Sequence, residues 1–487
     1  MKNIIKLLAA LLSVLMVFSI SGCTKTYVSS EIVYSEVEGG DSTSTAKKDG
    51  VSSTPDSSGT PTPQKGEQVF SDVKINNGTQ AMESGLNFGG ATYTMCVWQS
   101  PEYLDDAFKN KVKAFEAKFN CKVKVVEVGW DEYLTKLAQS SVSGTPYDIC
   151  FIHGSMYTNG VQANVYEPLE NAFTDSDLYN SANPENGGIS LTKSKEFSYG
   201  KHIYGVCGDY ACAPYVLYYN KSLFSRYKLD DPRTLYENGN WTWDKVYEIA
   251  NKVCDEDRGI YFFDASLRLR PLMEAAGGWF VTNTGSSFKE NLTDNKISAA
   301  CKFYQKLMGL DGTKAIATTA GGSWDTSEFY AGRVFMFCQE AIKYSGYAAE
   351  VSSLTTFNKS TENLGIVPLP LLPCNDKKLY PTGWLEAVAA CKGVKDLRPA
   401  IAWSKFCSTY TNPVQTTTSM RDEDVELVKK LATGNICYSN YGFASTSTDV
   451  NTIVTEIESK LIKGNNVATV LSDYRQPVQN CIDSAIH

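Results

Sequence analysis

Histidine is nearly missing from this 487-residue chain: only His153, His202 and His487 occur. So few, so widely spaced, give no basis for a histidine-built zinc site or a Ser-His-Asp triad. No GxSxG, HExxH, GxGxxG or GxxxxGK[ST] run is present either, so nucleophile elbows, zincin helices, dinucleotide folds and P-loops have no support. Clustered Lys and Arg are also absent, and the formal net charge is -8. Phosphate backbones need grouped cations, so no nucleic-acid partner is expected. The run Asp255-Glu256-Asp257-Arg258-Gly259 has the acids of a calcium loop, but its glycine falls one place early and no Glu closes it. It reads as a solvated turn, and neither a metal nor a cofactor is expected. Paired carboxylates abound, and sequence spacing alone leaves a glycosidase open.

Long apolar runs are confined to the first residues. Lys2 and Lys6 precede the apolar stretch 7–20, which ends in Ile20-Ser21-Gly22-Cys23. The stretch is short for a membrane span and has the charged and apolar regions of an export signal. With its terminal cysteine it resembles a bacterial lipobox. Residues 1–22 are therefore expected to be a lipoprotein signal peptide and Cys23 a lipidation site. The lipid would hold the chain at the extracellular face of the cell membrane. Residues 23–85 are rich in Ser, Thr, Gly, Asp and Pro and poor in large apolar residues. They are expected to form a disordered tether.

Cysteine is plentiful, at fourteen residues. With Cys23 lipidated an odd number remains, so they cannot all pair within the chain. Cys150, Cys338 and Cys391 sit singly in apolar runs, as buried thiols do. Cys207 and Cys212 are the one close pair that could bridge.

From residue 91 the chain alternates strand and helix. Residues 92–98 read as a strand. Leu104, Phe108, Val112, Phe115 and Phe119 then recur on one face of a long helix. Residues 121–128 read as the next strand, Asp131 as the cap of a second helix, and 147–153 as a buried strand. This βαβ rhythm implies doubly wound α/β architecture. Residues 202–206 and 215–219 read as two strands joined by a short loop. A helix follows, capped by Thr242, with Asp244 in its first turn and Val246, Ile249 and Val253 at helical spacing.

Several of these runs resemble the signature of the bacterial extracellular solute-binding proteins that deliver sugars to ABC importers, the maltose-binding-protein-like family. They are Tyr204-Gly205-Val206, the run Tyr219-Asn220-Lys221-Ser222-Leu223-Phe224, and Trp241-Thr242-Trp243. Gly144-Thr145-Pro146-Tyr147-Asp148-Ile149, Ala275-Ala276-Gly277-Gly278-Trp279, Thr382-Gly383-Trp384 and the AWSKF run at 402–406 follow in the family's order. The resemblance covers about residues 91–486. It implies a two-lobed type II periplasmic-binding-protein-like fold, with two doubly wound sheets joined by hinge crossings. Residues 86–210 with 388–435 would form one lobe, and 211–387 with 436–487 the other. It also implies a monomeric, non-enzymatic protein that closes on a carbohydrate, an oligosaccharide by expectation, and hands it to ABC permease subunits.

Ligands in open α/β sheets sit beyond the carboxyl ends of strands, which selects the candidate contacts. They are Trp98, His153, Ser155, Asp209, Tyr210, Arg270, Trp279, Trp324, Glu340, Trp384 and Glu386. Aromatic planes suit the C–H faces of a sugar, while carboxylates, hydroxyls and Arg suit its hydroxyl rim. Trp130, Trp241, Trp243 and Trp403 read instead as packing residues. Two other readings stay open. Arg268 with Arg270 could favour an acidic solute on the same scaffold, and the carboxylates could belong to a surface glycosidase.

Overall fold

The run TYTMCVW forms β1 (Thr92–Trp98), buried from Met95 onwards, and Phe108, Val112, Phe115 and Phe119 make the buried face of α1 (Asp106–Phe119). The structure is a computed structural model and describes residues 85–99, 103, 106–172, 178–179, 189–200, 202–208, 212–283, 287–310, 312–317, 326–371, 378–409, 419–434, 442–445 and 447–486. β2 (Lys122–Val128) pairs with β1 in parallel, from Thr92↔Lys122 to Trp98↔Val128. Helix α2 (Tyr133–Val142) follows. Its start differs from the sequence reading: residues Trp130–Glu132 form a 3-10 turn, and no side chain caps the helix. β3 (Cys150–His153) runs beside β1, where Cys96 N donates to Ile149 O at 2.9 Å.

The strand β4 (Cys212–Asn220) is the pivot of the fold. Its first residues pair with a late strand, and its remainder pairs with strands of the second half. Asn220 ends it by accepting from Leu223 N at 3.3 Å, which caps the next short helix. The expected strand at 202–206 is shorter. His202–Ile203 pairs back with Ser198–Tyr199 across Gly200 (φ 60), and Val206 bridges to Val388, so this segment does not pair with β4.

Thr242 accepts from Lys245 N at 3.3 Å and caps α3 (Trp243–Val253), which buries Trp243, Val246, Ile249, Ala250 and Val253. The flanking tryptophans work as anchors. Trp241 Nε1 donates to Pro368 O at 2.9 Å, and Trp243 Nε1 to Pro370 O at 3.0 Å. The Trp243 ring stacks on Phe303 with centroids 4.4 Å apart. The acidic run 255–259 is a tight turn in which Asp255 accepts from Arg258 N at 3.1 Å.

β5 (Tyr261–Phe263), α4 (Leu269–Ala275), α5 (Asn295–Leu307), β6 (Val334–Glu340), β7 (Leu364–Val367) and β8 (Gly383–Ala389) complete the α/β pattern. The main sheet runs β3-β8-β4-β6-β5, with β7 also on β4. β8 is antiparallel to β3 (Glu386↔His153 to Ala389↔Cys150) and to the start of β4 (Gly383↔Pro214 to Leu385↔Cys212). Thus β4 and β8 are the two strands through which the halves of the sheet join. Gly383 permits this crossing: a Cβ there would overlap the Ala213 carbonyl oxygen and lie 2.9 Å from Pro214 Cα.

Among the described residues, four helices follow β8. Trp403 of α6 (Arg398–Thr409) packs on Phe115 at 5.1 Å. α7 (Asp422–Thr433), expected beside the first lobe, buries Leu427, Val428 and Leu431 among Val216, Phe329, Phe337 and Ile366. Arg233 reaches its buried Asp424 at 3.3 Å. An apolar stripe does not name its partner sheet, so packing decides this placement. α8 (Val450–Ile462) and α9 (Val467–Ile486) join at Gly464 and pack on α5, where Gln305 Nε2 donates to Leu461 O at 3.1 Å. Cys96, Cys121, Cys150, Cys301, Cys338, Cys391 and Cys481 are buried free thiols, and burial pushes the Cys121 thiol up to about 11. The side chain of Cys212 lies outside the described residues, and Cys207 Sγ lies 3.8 Å from Ser194 Oγ.

Candidate functional site

β3 is buried along its length and stops at His153. The chain then tightens into a 3-10 turn, Gly154–Met156, that brings Ser155 to the strand's carboxyl end, and the next short helix adds Asn159. The same cleft is lined by Arg270 at the start of α4 and by Asp449 and Asn451 at the start of α8. Trp384 enters from β8, whose alternation leaves Trp384 and Glu386 half-buried on one face. These residues, with Gly442 and Ala444, line a cleft of about 380 Å³, within the size range of small-molecule sites.

Trp384 is the hub. Its indole Nε1 donates to the Tyr215 hydroxyl at 2.7 Å, and the Arg270 guanidinium lies 3.9 Å from its ring centroid. The His153 ring lies 4.6 Å from it, tilted by 43°. Arg270 faces a carboxylate one helical turn on: its Nε lies 3.5 Å from Glu274 Oε1. Glu274 is 0 % exposed and also accepts the hydroxyl of Thr382. Arg268, two residues earlier, points elsewhere and holds Glu458 of α8 with Nε at 2.9 and 2.8 Å.

The His153 imidazole is kept neutral. Burial, and secondarily the Arg270 charge, push it down to about 3. Its Nδ1 takes the Ser155 N–H at 3.3 Å and stands 2.7 Å from Ser155 Oγ, so Nδ1 accepts and the proton belongs on Nε2. The ordinary histidine value is about 6.5, so the unfolded chain binds the proton first as pH falls. Stability is then lost progressively from about pH 6.5 downwards, at up to about 1.4 kcal/mol per unit. Urea midpoints at pH 7 and pH 5 should show this. Against His153→Gln, the parent should lose about 2 kcal/mol more between them, and equal losses would refute it.

The remaining candidates divide by place. Trp98 is 3 % exposed and meets Tyr103, Trp130 and Tyr133 edge-on at 5.2, 5.4 and 5.3 Å, so it supports rings nearer the cleft. Trp130 is the exposed member, at 40 %, and its ring lies 5.1 Å from His153. The sequence reading gave it a packing role; the available signal was its position just beyond the end of β2. Glu386 accepts the Tyr103 hydroxyl at 3.1 Å. Glu340 sits opposite Tyr215 in register, with Lys343 at 4.0 Å. Trp279 packs edge-on against Tyr380 at 5.7 Å and is not among the cleft-lining residues. Asp209, Tyr210, Trp324 and the proposed lipidation site Cys23 lie outside the described residues.

Thus His153, Ser155, Arg270 and Trp384 come together, although they are separated by up to 231 positions in sequence. Sequence reasoning missed Asn159, Tyr215, Asp449 and Asn451. Asp449 carried a helix-cap signal, realised by Thr452 N donating to it at 2.7 Å, but nothing in that signal points to a cleft. Chemically, the described residues of the site offer an indole face, a guanidinium, a neutral imidazole and several short amide, hydroxyl and carboxylate groups. That combination suits a neutral, hydroxyl-rich solute.

A family model described as bacterial extracellular solute-binding protein matches residues 101–370. A search of curated proteins finds no match. Among solved structures, the extracellular solute-binding protein of Staphylococcus aureus in complex with maltose aligns with TM-score 0.59 at 16% identity, over 81% of this chain and 97% of that one. The cyclic alpha-maltosyl-1,6-maltose binding protein of Arthrobacter globiformis gives 0.58 at 17%, over 81% and 99%. The galacto-N-biose-/lacto-N-biose I-binding protein of Bifidobacterium longum, in complex with lacto-N-biose, gives 0.56 at 17%, over 80% and 96%. At these identities the likeness is one of fold.

Proposed function

The chain belongs to the bacterial extracellular solute-binding proteins and has a two-lobed, type II periplasmic-binding-protein-like α/β fold, and from that premise we propose that it captures a neutral carbohydrate and delivers it to an ABC permease. The observation that carries the cargo is the Trp384 ring set beside polar groups from three other segments, Ser155, Arg270 and Asn451, in one cleft. An indole face takes the apolar C–H side of a pyranose, and the surrounding groups take its hydroxyls and reject one that is misplaced. The three structural relatives reported above carry sugars in their names or complexes, which favours the same class here.

Capture works by closure. A ligand that touches groups of both lobes gains the full set of contacts only when the lobes approach, so binding populates the closed form. The permease then reads the closed state. An export signal over residues 1–22 and a lipid on Cys23 would hold the protein at the extracellular face of the cell membrane, with residues 23–85 as a leash to the permease. No bond is made or broken in the cargo.

An acidic cargo is the weaker reading, because Arg268 and Arg270 each already face a carboxylate. Calorimetric titration against neutral oligosaccharides and matched uronates tests the proposal. Saturable binding of a neutral member, recovered intact, is expected. Binding confined to uronates, or recovery of cleaved fragments, would overturn it.

A further inference from the structure

Tyr215 stands where β4 changes partners. Pro214 before it pairs with Gly383 of β8, and Tyr215 itself pairs with Glu340 of β6, while its backbone N–H donates to Thr382 O at 2.8 Å. The residue is 8 % exposed, so its backbone and ring are held on all sides. Its hydroxyl oxygen takes two donors from distant segments: the Trp384 indole N–H at 2.7 Å and an Arg270 Nη2 N–H at 3.5 Å. An indole N–H can only donate. Without an acceptor, the Trp384 ring would lose what fixes its rotation about the side chain, and the faces it turns to Arg270 and His153 would change with it. The Arg270 guanidinium also lies 5.7 Å from the Tyr215 ring, so the ring and the oxygen hold the cation by separate means.

From this geometry we infer that the Tyr215 hydroxyl is a positioning residue: it orients Trp384 and Arg270 for cargo capture without needing to touch the cargo. The inference rests on the carbohydrate reading for its functional consequence, but its structural half can be read without any ligand. A space-filling role makes a different prediction, since phenylalanine fills the same volume and keeps the ring under Arg270.

The test uses Tyr215→Phe, Tyr215→Leu, Trp384→Phe and the Y215F/W384F pair in the whole exported protein, labelled with ¹⁵N-tryptophan. The indole signal that disappears in W384F belongs to Trp384. In both Y215F and Y215L that signal should shift and exchange faster with water. The best-bound neutral oligosaccharide should bind Y215F on the order of tenfold more weakly, the scale of one lost acceptor. If Tyr215 acts through Trp384, the same change made in W384F should cost about twofold or less. An unmoved indole signal, or the full tenfold loss persisting in W384F, would overturn the inference. If no carbohydrate binds the parent, the cargo reading falls, and the indole signal alone decides whether Tyr215 orients the ring.

Discussion

Replacing Trp384 with alanine is expected to weaken cargo binding by about a hundredfold while leaving the protein folded. Three groups converge on this ring: Arg270 at 3.9 Å, His153 at 4.6 Å and the Tyr215 hydroxyl at 2.7 Å from its Nε1. Truncation removes an indole that lines the cleft, releases the Arg270 guanidinium from its cation–π contact, and takes from the Tyr215 oxygen its indole donor. Central aromatic anchors of this kind carry two or more kcal/mol of binding, and a hundredfold corresponds to about 2.8 kcal/mol. Stability should change less than for a core tryptophan, because Trp384 is only half-buried and its backbone pairing within β8 survives. Calorimetry on the parent and variant checks this. Affinity within threefold of the parent, in a variant with an unchanged melting profile, would show that the ring is not the platform.

A larger effect on stability is expected at Trp241, with no direct effect on the cleft. The side chain is 0 % exposed, its Nε1 donates to Pro368 O, and its backbone carbonyl accepts from Leu371 N at 2.9 Å. Trp241→Ala should empty that site and leave the Pro368 carbonyl without its donor, costing about 3–5 kcal/mol. The check is urea denaturation followed by circular dichroism. A loss below about 1 kcal/mol would mean the neighbouring chain collapses into the space. Trp241→Phe, which keeps much of the volume and lacks the N–H, should fall between the two.

The contrast between these two tryptophans shows what a local pattern can carry. Trp241-Thr242-Trp243 announced a helix start, and both rings lie in the core beside that start. Thr242 and the apolar stripe are satisfied within about a dozen residues, so the necessary information is local. Trp384 and Trp130 look no different in sequence, yet both reach the neighbourhood of His153. Trp98 had the same strand-end credentials and is covered by three other rings. Exposure depends on which strand lies next door, and a strand's own residues do not encode its neighbour.

The two arginines make the same point for charge. Arg268 and Arg270 are two apart, and as a pair they suggested an anion. The structure gives each its own carboxylate, Glu458 from α8 and Glu274 from the next turn of α4. Only the second partner was within reach of a helical i,i+4 rule. The first comes from 190 positions away.

By itself the chain's order of residues determined the α/β class, the family, the capped helices and the crossing strand that ends in Asn220. The class and the caps follow from side-chain period, capping and turn chemistry, which act over a few residues, and the family from the motif runs that resemble its signature. Tertiary packing decided the rest: that α7 covers the sheet beside Val216 and Ile366, that Tyr215 holds Trp384, and that Asp449 and Asn451 line one cleft with Ser155. Those contacts join residues from distant segments of the chain, and the core's burial selects among them only when every element is competing for the same surface at once.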